Sequence, residues 1–164
     1  MDYFTLFDLP KIFTLDLVAL QLKYYSLMRQ THPDQFVQGA PAQKQQATEM
    51  SAQINRAYQS LKDPVKRALY LFDLRGIALE GEHAEPMPMD FLSQQMDWHE
   101  SLEDASPEDC AVLADKVTVD LQDVLREIAE FLDNKNNHNV MQSARKMLFY
   151  TRFQKEIMQK MEGN

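Results

Sequence analysis

The sequence predicts an all-α protein, a helical hairpin with short flanking helices joined to a C-terminal three-helix bundle. Three observations predict it. Only 4 of the 164 residues are Gly, and β-branched residues are sparse beside Leu, Met, Ala, Gln, Glu and Lys, a bias that favours helix over strand. Apolar residues recur at helical spacing through long stretches. Capping residues and prolines stand where those stretches begin, and Gly, Pro or polar runs stand where they end.

The elements follow in order. Tyr3 to Phe7 is a short apolar segment of one or two helical turns, stopped by Pro10. Asp16 reads as an N-cap, after which Leu17, Leu20, Tyr24, Leu27 and Met28 repeat at helical spacing. That helix ends near Thr31, because Pro33 disfavours helical geometry at His32. Residues 35–40 form a loop with Gly39, and Pro41 suits a first helical position. Ala47, Met50, Ile54, Ala57, Tyr58 and Leu61 mark the second long stripe. Two long helices joined by a short loop pack antiparallel. Asp63-Pro64 caps and opens a shorter helix that Gly76 ends.

Residues 76–89, with two Gly, two Pro and three acidic residues, read as a linker. It divides a first domain, 1–75, from a bundle, 90–164. The first bundle helix runs from about Asp90 to Ala105. Ser106-Pro107-Glu108-Asp109 resembles a capping box with proline at its first turn. The stripe after it is Cys110, Leu113, Ala114, Val117, Leu121, Val124, Leu125, Ile128 and Leu132. Asn134 to Asn139 is a polar turn. The last helix runs from about Val140 to Met161, with Ala144, Met147, Leu148, Gln154, Met158 and Met161 expected inward.

Composition limits function. Net charge is −8 and the pI is near 4.9, which argues against a general nucleic-acid binder or attraction to anionic membranes. A single cysteine, Cys110, excludes a disulfide framework or a cysteine-based zinc or iron–sulfur site within one chain. It also suits a reducing compartment. The N-terminus lacks the basic and apolar regions of a signal peptide, and no apolar run approaches a membrane span. A cytoplasmic protein is expected, with no membrane and no nucleic-acid partner.

Chemistry-bearing motifs are few. The histidines are His32, His83, His99 and His138, and none falls at HxxxH or HExxH spacing. His83 in the linker and His138 in the turn read as solvated, and His99 as a surface residue. Phosphate loops and the GxSxG nucleophile pattern are missing. Cys110 lies on an apolar stripe, where a buried thiol is inert. Neither a metal nor a cofactor is expected.

His32-Pro33-Asp34, at the bend of the hairpin, stands out. Read as ordinary loop chemistry, Pro33 ends a helix and Asp34 satisfies backbone donors. Read as catalysis, His32 and Asp34 form a pair with no third group and no pocket-forming loops. Read as recognition, a rigid tip with one donor and one acceptor biases a partner's conformational equilibrium. The third reading fits best. The bundle carries apolar residues off its stripes: Leu92 with Met96, and Phe149 with Phe153, each an i,i+4 pair. Such pairs fit either a partner-docking patch or packing on the first domain.

With helix, HPD loop, helix and short flanking helices in place, residues 1–75 resemble a J domain, through which co-chaperones stimulate heat-shock-type chaperone ATPases. DYFTLFDLP, HPDQF, INRAYQSLKDPVKRALYLFDLRG and the acidic three-helix unit together resemble the HscB family of J-type co-chaperones in iron–sulfur cluster biogenesis. The likeness spans essentially the whole chain, in order.

The resemblance implies a non-enzymatic co-chaperone. His32, Pro33 and Asp34 contact the ATPase domain of an HscA-type chaperone and speed ATP hydrolysis. The preceding helix usually adds a basic face, supplied here only by Lys23 and Arg29. The bundle binds an IscU-type scaffold protein at positions matching Leu92, Met96 and Phe149, with Phe153 beside them. These lie in the off-stripe pairs, which favours docking over inter-domain packing. Departures from the family pattern are Gln35 where Lys is common, Asp8 where Gly is usual and Ser93 where Met is frequent. The zinc-binding extension of some eukaryotic relatives is missing. Rival readings are a J-domain co-chaperone for another client, a small hydrolase using His32 and Asp34, and a structural helical adaptor.

Overall fold

In a computed structural model, described for residues 1–36, 39–79, 86–134 and 140–163, the chain is built from helices, and no strand occurs among the described residues. The helices are α1 (Tyr3–Leu6), α2 (Leu17–Thr31), α3 (Pro41–Lys62), α4 (Pro64–Leu74), α5 (Met89–Glu103), α6 (Pro107–Asn134) and α7 (Val140–Glu162). A 3-10 turn, Pro33–Phe36, follows α2. The chain divides into two compact units, Met1–Gly76 and Ile77–Asn164. Of the linker expected over 76–89, residues 80–85 lie outside the described residues, and His83 with them. The turn expected over Asn134 to Asn139 likewise lies outside them from Lys135 onward, including His138.

In the first unit α2 and α3 form the hairpin, and α1 and α4 pack on α3 and its flank. Phe4, Phe7, Leu20, Ile54, Leu61, Leu71 and Phe72 are fully buried. Each contributes on the order of 1.5–3 kcal/mol by leaving water. Caps fix the ends. Asp16 accepts from the N–H groups of Val18 and Ala19 at 3.0 and 3.1 Å, and Asp63 accepts from Lys66 N–H at 2.9 Å. Arg67 is buried, donates to the Leu61 carbonyl at 2.8 Å and covers the Phe13 ring. Tyr3 N–H donates to the Tyr70 hydroxyl at 2.9 Å, and their rings stack 4.5 Å apart. That contact joins α1 to α4.

In the second unit α6 and α7 share the largest interface, and α5 lies against both. Ser106 and Asp109 exchange backbone bonds in the capping box that opens α6, each at 3.1 Å. The Ser106 N–H, with the Ser106 hydroxyl after it, holds the Asp109 carboxyl below the usual range. The α6 stripe is buried at Cys110, Leu113, Val117, Leu121, Val124, Ile128 and Leu132.

The inward side of α7 differs from expectation. Met158 and Met161 are exposed, while Phe149, Tyr150, Phe153 and Ile157 are buried. α7 is gripped by two helices, so its buried arc is wider than one stripe. Trp98 of α5 stacks on Phe153 at 5.7 Å and on Phe149 at 6.2 Å. The two phenylalanines are therefore core residues of this unit, not an off-core pair. In the hairpin, Leu17 and Met50 are exposed rather than inward, at the outer edges of their stripes.

Candidate functional site

The His32-Pro33-Asp34 tip is set by three local constraints. α2 stops at Thr31, and His32 turns extended at φ −61° and ψ 134°, as a residue before proline prefers. Gln35 N–H then donates to the His32 carbonyl at 2.9 Å, closing the 3-10 turn. Ser51 of α3 donates its hydroxyl to the Thr31 carbonyl at 3.0 Å, while Thr31 donates to the Leu27 carbonyl at 2.9 Å. One orphan carbonyl at the end of α2, that of Thr31, is thereby satisfied and pinned to the neighbouring helix.

Within the tip, Asp34 N–H donates to His32 Nδ1 at 3.2 Å. An Nδ1 that accepts leaves the proton of the neutral ring on Nε2. The tip therefore presents an Nε2–H donor next to the Asp34 carboxylate, whose nearer oxygen lies 3.4 Å from Nδ1. Both side chains are exposed.

A groove of about 840 Å³ runs from the tip along α2, lined by Leu22, Tyr25, Met28, Arg29, His32 and Asp34 among others. Leu22 and Tyr25 are exposed. Arg29 contributes a cation here. Lys23, the other basic residue expected on this helix, is engaged elsewhere. Its ammonium donates to the Asp8 carbonyl at 2.7 Å and lies 3.4 Å from the Asp8 carboxylate. Asp8 adopts a left-handed φ of 53°, a conformation that Gly takes freely and Asp tolerates better than most residues.

The second candidate surface is on α5. Met89 is 75% exposed, Leu92 37% and Met96 66%. At roughly 100° per residue the three lie within about 60° of one another. Phe149 and Phe153, expected here, are 8% and 1% exposed and pack against Trp98 on the inner side of α5 rather than on its outer face. Farther along α5 the ring of His99 packs edge-on against Phe153 at 5.1 Å. Its two nitrogens meet the Gln95 carbonyl at 2.9 Å and the Glu156 carboxylate at 3.1 Å. Lys160 donates to the Glu103 carbonyl at 2.6 Å and ties the last turns of α5 and α7 together. Sequence reasoning missed Met89 because it placed the helix start at Asp90. The i,i+3,i+7 spacing with Leu92 and Met96 was the available signal.

Elsewhere on the unit a cleft of about 290 Å³ gathers Asp120, Asp123, Glu127, Lys146 and Tyr150. Burial and then the Asp120 carboxylate push the Tyr150 hydroxyl up to about 12, so it stays protonated and donates to Gln94 at 3.4 Å. Burial and Asp123 raise Asp120. Among the described residues no group of three or more His, Cys, Asp or Glu is placed to hold a metal ion. None of their helices is long and apolar enough to cross a membrane.

Comparison with known proteins bears on both surfaces. A family model described as the DnaJ domain matches residues 2–70, and one described as the HSCB C-terminal oligomerisation domain matches 87–158. The "Co-chaperone protein HscB homolog" of Paraburkholderia phymatum is 39% identical over 160 residues, 95% of this chain and 91% of the relative. The chain belongs to the HscB co-chaperone family. Among solved structures it is similar to the chaperone HscB of Vibrio cholerae, at 33% identity and a TM-score of 0.79, covering 97% of this chain and 96% of that one. It is also similar to human HscB, at 27% identity and a TM-score of 0.87, covering 98% and 82%. In this HscB-family chain the tip lies inside the DnaJ match. Met89, Leu92, Met96, Phe149 and Phe153 lie inside the C-terminal match.

Proposed function

We propose that this chain stimulates the ATPase of an HscA-type chaperone through His32-Pro33-Asp34 and delivers an IscU-type scaffold to it on the α5 face, aiding iron–sulfur cluster assembly and transfer. One observation carries the reading. The structure holds a donor and an acceptor side by side on a pinned tip, and separately leaves an apolar helix face uncovered. The tip needs no catalytic group of its own. The His32 Nε2–H and the Asp34 carboxylate bind one conformation of the partner better and so shift its equilibrium towards hydrolysis. Arg29 and the apolar groove beside it extend that contact along α2. Leu92 and Met96, with Met89 added, form the scaffold surface, and Phe149 and Phe153 pack against Trp98 on the inner side of α5.

The test is ATPase stimulation of an HscA-type chaperone by this chain, with and without the scaffold. Stimulation by the chain, raised further by the scaffold, supports the reading. Equal ATPase with and without the chain removes it.

A second reading, a J-domain co-chaperone for another client, is favoured by the α5 face itself. Ser93 and two methionines make it softer than a Leu-rich surface, and methionine faces adapt to varied partners. A pull-down with the scaffold competing against general unfolded clients separates the two.

A further inference from the structure

The chain has ten methionines, and after Met1 the two most exposed are Met89 and Met96. They lie on one face of one helix, on either side of Leu92. Met147, by contrast, is fully buried beneath the same bundle. Solvent reaches both exposed residues while the fold does not depend on them.

We propose that Met89 and Met96 are oxidation sites through which hydroperoxides switch off docking on the α5 face. This rests on the reading of that face as the scaffold surface. The step is a two-electron oxygen transfer. The thioether sulfur attacks the distal peroxide oxygen, the O–O bond breaks and an S–O bond forms. Methionine becomes the sulfoxide while hydrogen peroxide leaves as water. The sulfur is oxidised and the peroxide reduced, with no further reactant.

The physical consequence differs between the free and the docked protein. In the free chain each sulfoxide points into water, which solvates its dipole, so the fold is unaffected. Under an apolar partner the same dipole loses water and gains no donor, which is unfavourable. A flexible apolar side chain becomes a polar, stiffer one at two of the three exposed positions. Methionine sulfoxide reduction by a thiol-dependent reductase returns the surface to its first state.

The experiment uses the full chain. It is treated with hydrogen peroxide, freed of oxidant with catalase, mapped by peptide mass spectrometry and titrated calorimetrically with purified IscU-type scaffold. The expected result is a loss of affinity of roughly tenfold or more, unchanged circular dichroism, and recovery after sulfoxide reduction. The doubly substituted M89L/M96L chain is compared with its own untreated affinity, which peroxide is expected to leave unchanged. Wild-type affinity in a chain mapped as oxidised at both positions overturns the inference, and so does an equal loss in the M89L/M96L chain. Untreated Leu92→Ala separates the two layers. If it binds at wild-type affinity, the docking reading itself falls. If it binds weakly while the oxidised chain binds normally, only the oxidation switch falls.

Discussion

The Lys23 ammonium donates to the main-chain carbonyl of Asp8 at 2.7 Å, across fifteen residues of sequence. A cation on the helix before the tip is thus spent within its own unit, on a residue held at φ 53°. The groove beside the tip is left with Arg29 and a largely apolar wall.

Lys23→Ala is expected to lower the stability of the first unit by about 1 kcal/mol and to leave ATPase stimulation near wild type. Arg29→Ala is expected to lower stimulation and leave the melting temperature unchanged. Thermal melts and chaperone ATPase assays on both variants check this. A loss of stimulation with Lys23→Ala at an unchanged melting temperature contradicts it. Salt should weaken stimulation only modestly, because an exposed cation is screened but an apolar wall is not.

His32→Gln is expected to abolish stimulation while scaffold binding stays intact. The variant loses the ring that receives Asp34 N–H on one side and presents Nε2–H on the other. Steady-state ATPase and calorimetry on the same preparation measure the two functions apart.

Leu92→Ala and Phe153→Ala are expected to fail in different ways. Leu92 is partly exposed, so its truncation weakens scaffold binding by about 1 kcal/mol or more without lowering the melting temperature. Phe153 is 1% exposed in an aromatic cluster with Trp98, Phe149 and His99. Its truncation lowers stability by about 3–5 kcal/mol and reduces binding only through unfolding. Calorimetry beside thermal melts separates them.

These contrasts show what the chain of letters carries. Helix order, the Asp16, Asp63 and Ser106–Asp109 caps and the position of the HPD tip follow from local rules, which act within one turn. Phe149 and Phe153 were misplaced because helical arithmetic assigns one stripe to each helix, whereas α7 packs against two neighbours. Trp98 and Phe91 on the facing side of α5 were the signal, since large aromatics seek rings to pack on. The fate of Lys23 was hidden for another reason. Its partner lies in a turn whose left-handed backbone is not visible as a pattern when the residue is Asp rather than Gly.

Acid should expose the N-terminal cap. Burial opposes ionisation of Asp2, but the Lys11 ammonium 2.7 Å away and the Thr5 N–H and hydroxyl hold its carboxyl down at about 2. A folded value below the unfolded one means stabilisation that is complete above about 3.8 and is lost as pH falls through about 2. Its size is on the order of 1–2 kcal/mol, since Lys11 is largely exposed and screened. Asp2→Asn should flatten the stability profile between these pH values. Denaturant melts of both proteins across that window measure it.

The Tyr3–Tyr70 contact has a consequence for engineering. It closes the first unit from within, as do the Ser51 bond at the tip and the Lys23 tie, so every described bond that shapes the trigger is made by residues before Gly76. Such a part is portable. Grafted onto a different recognition module, it would carry its firing geometry along and take its cargo from the new host.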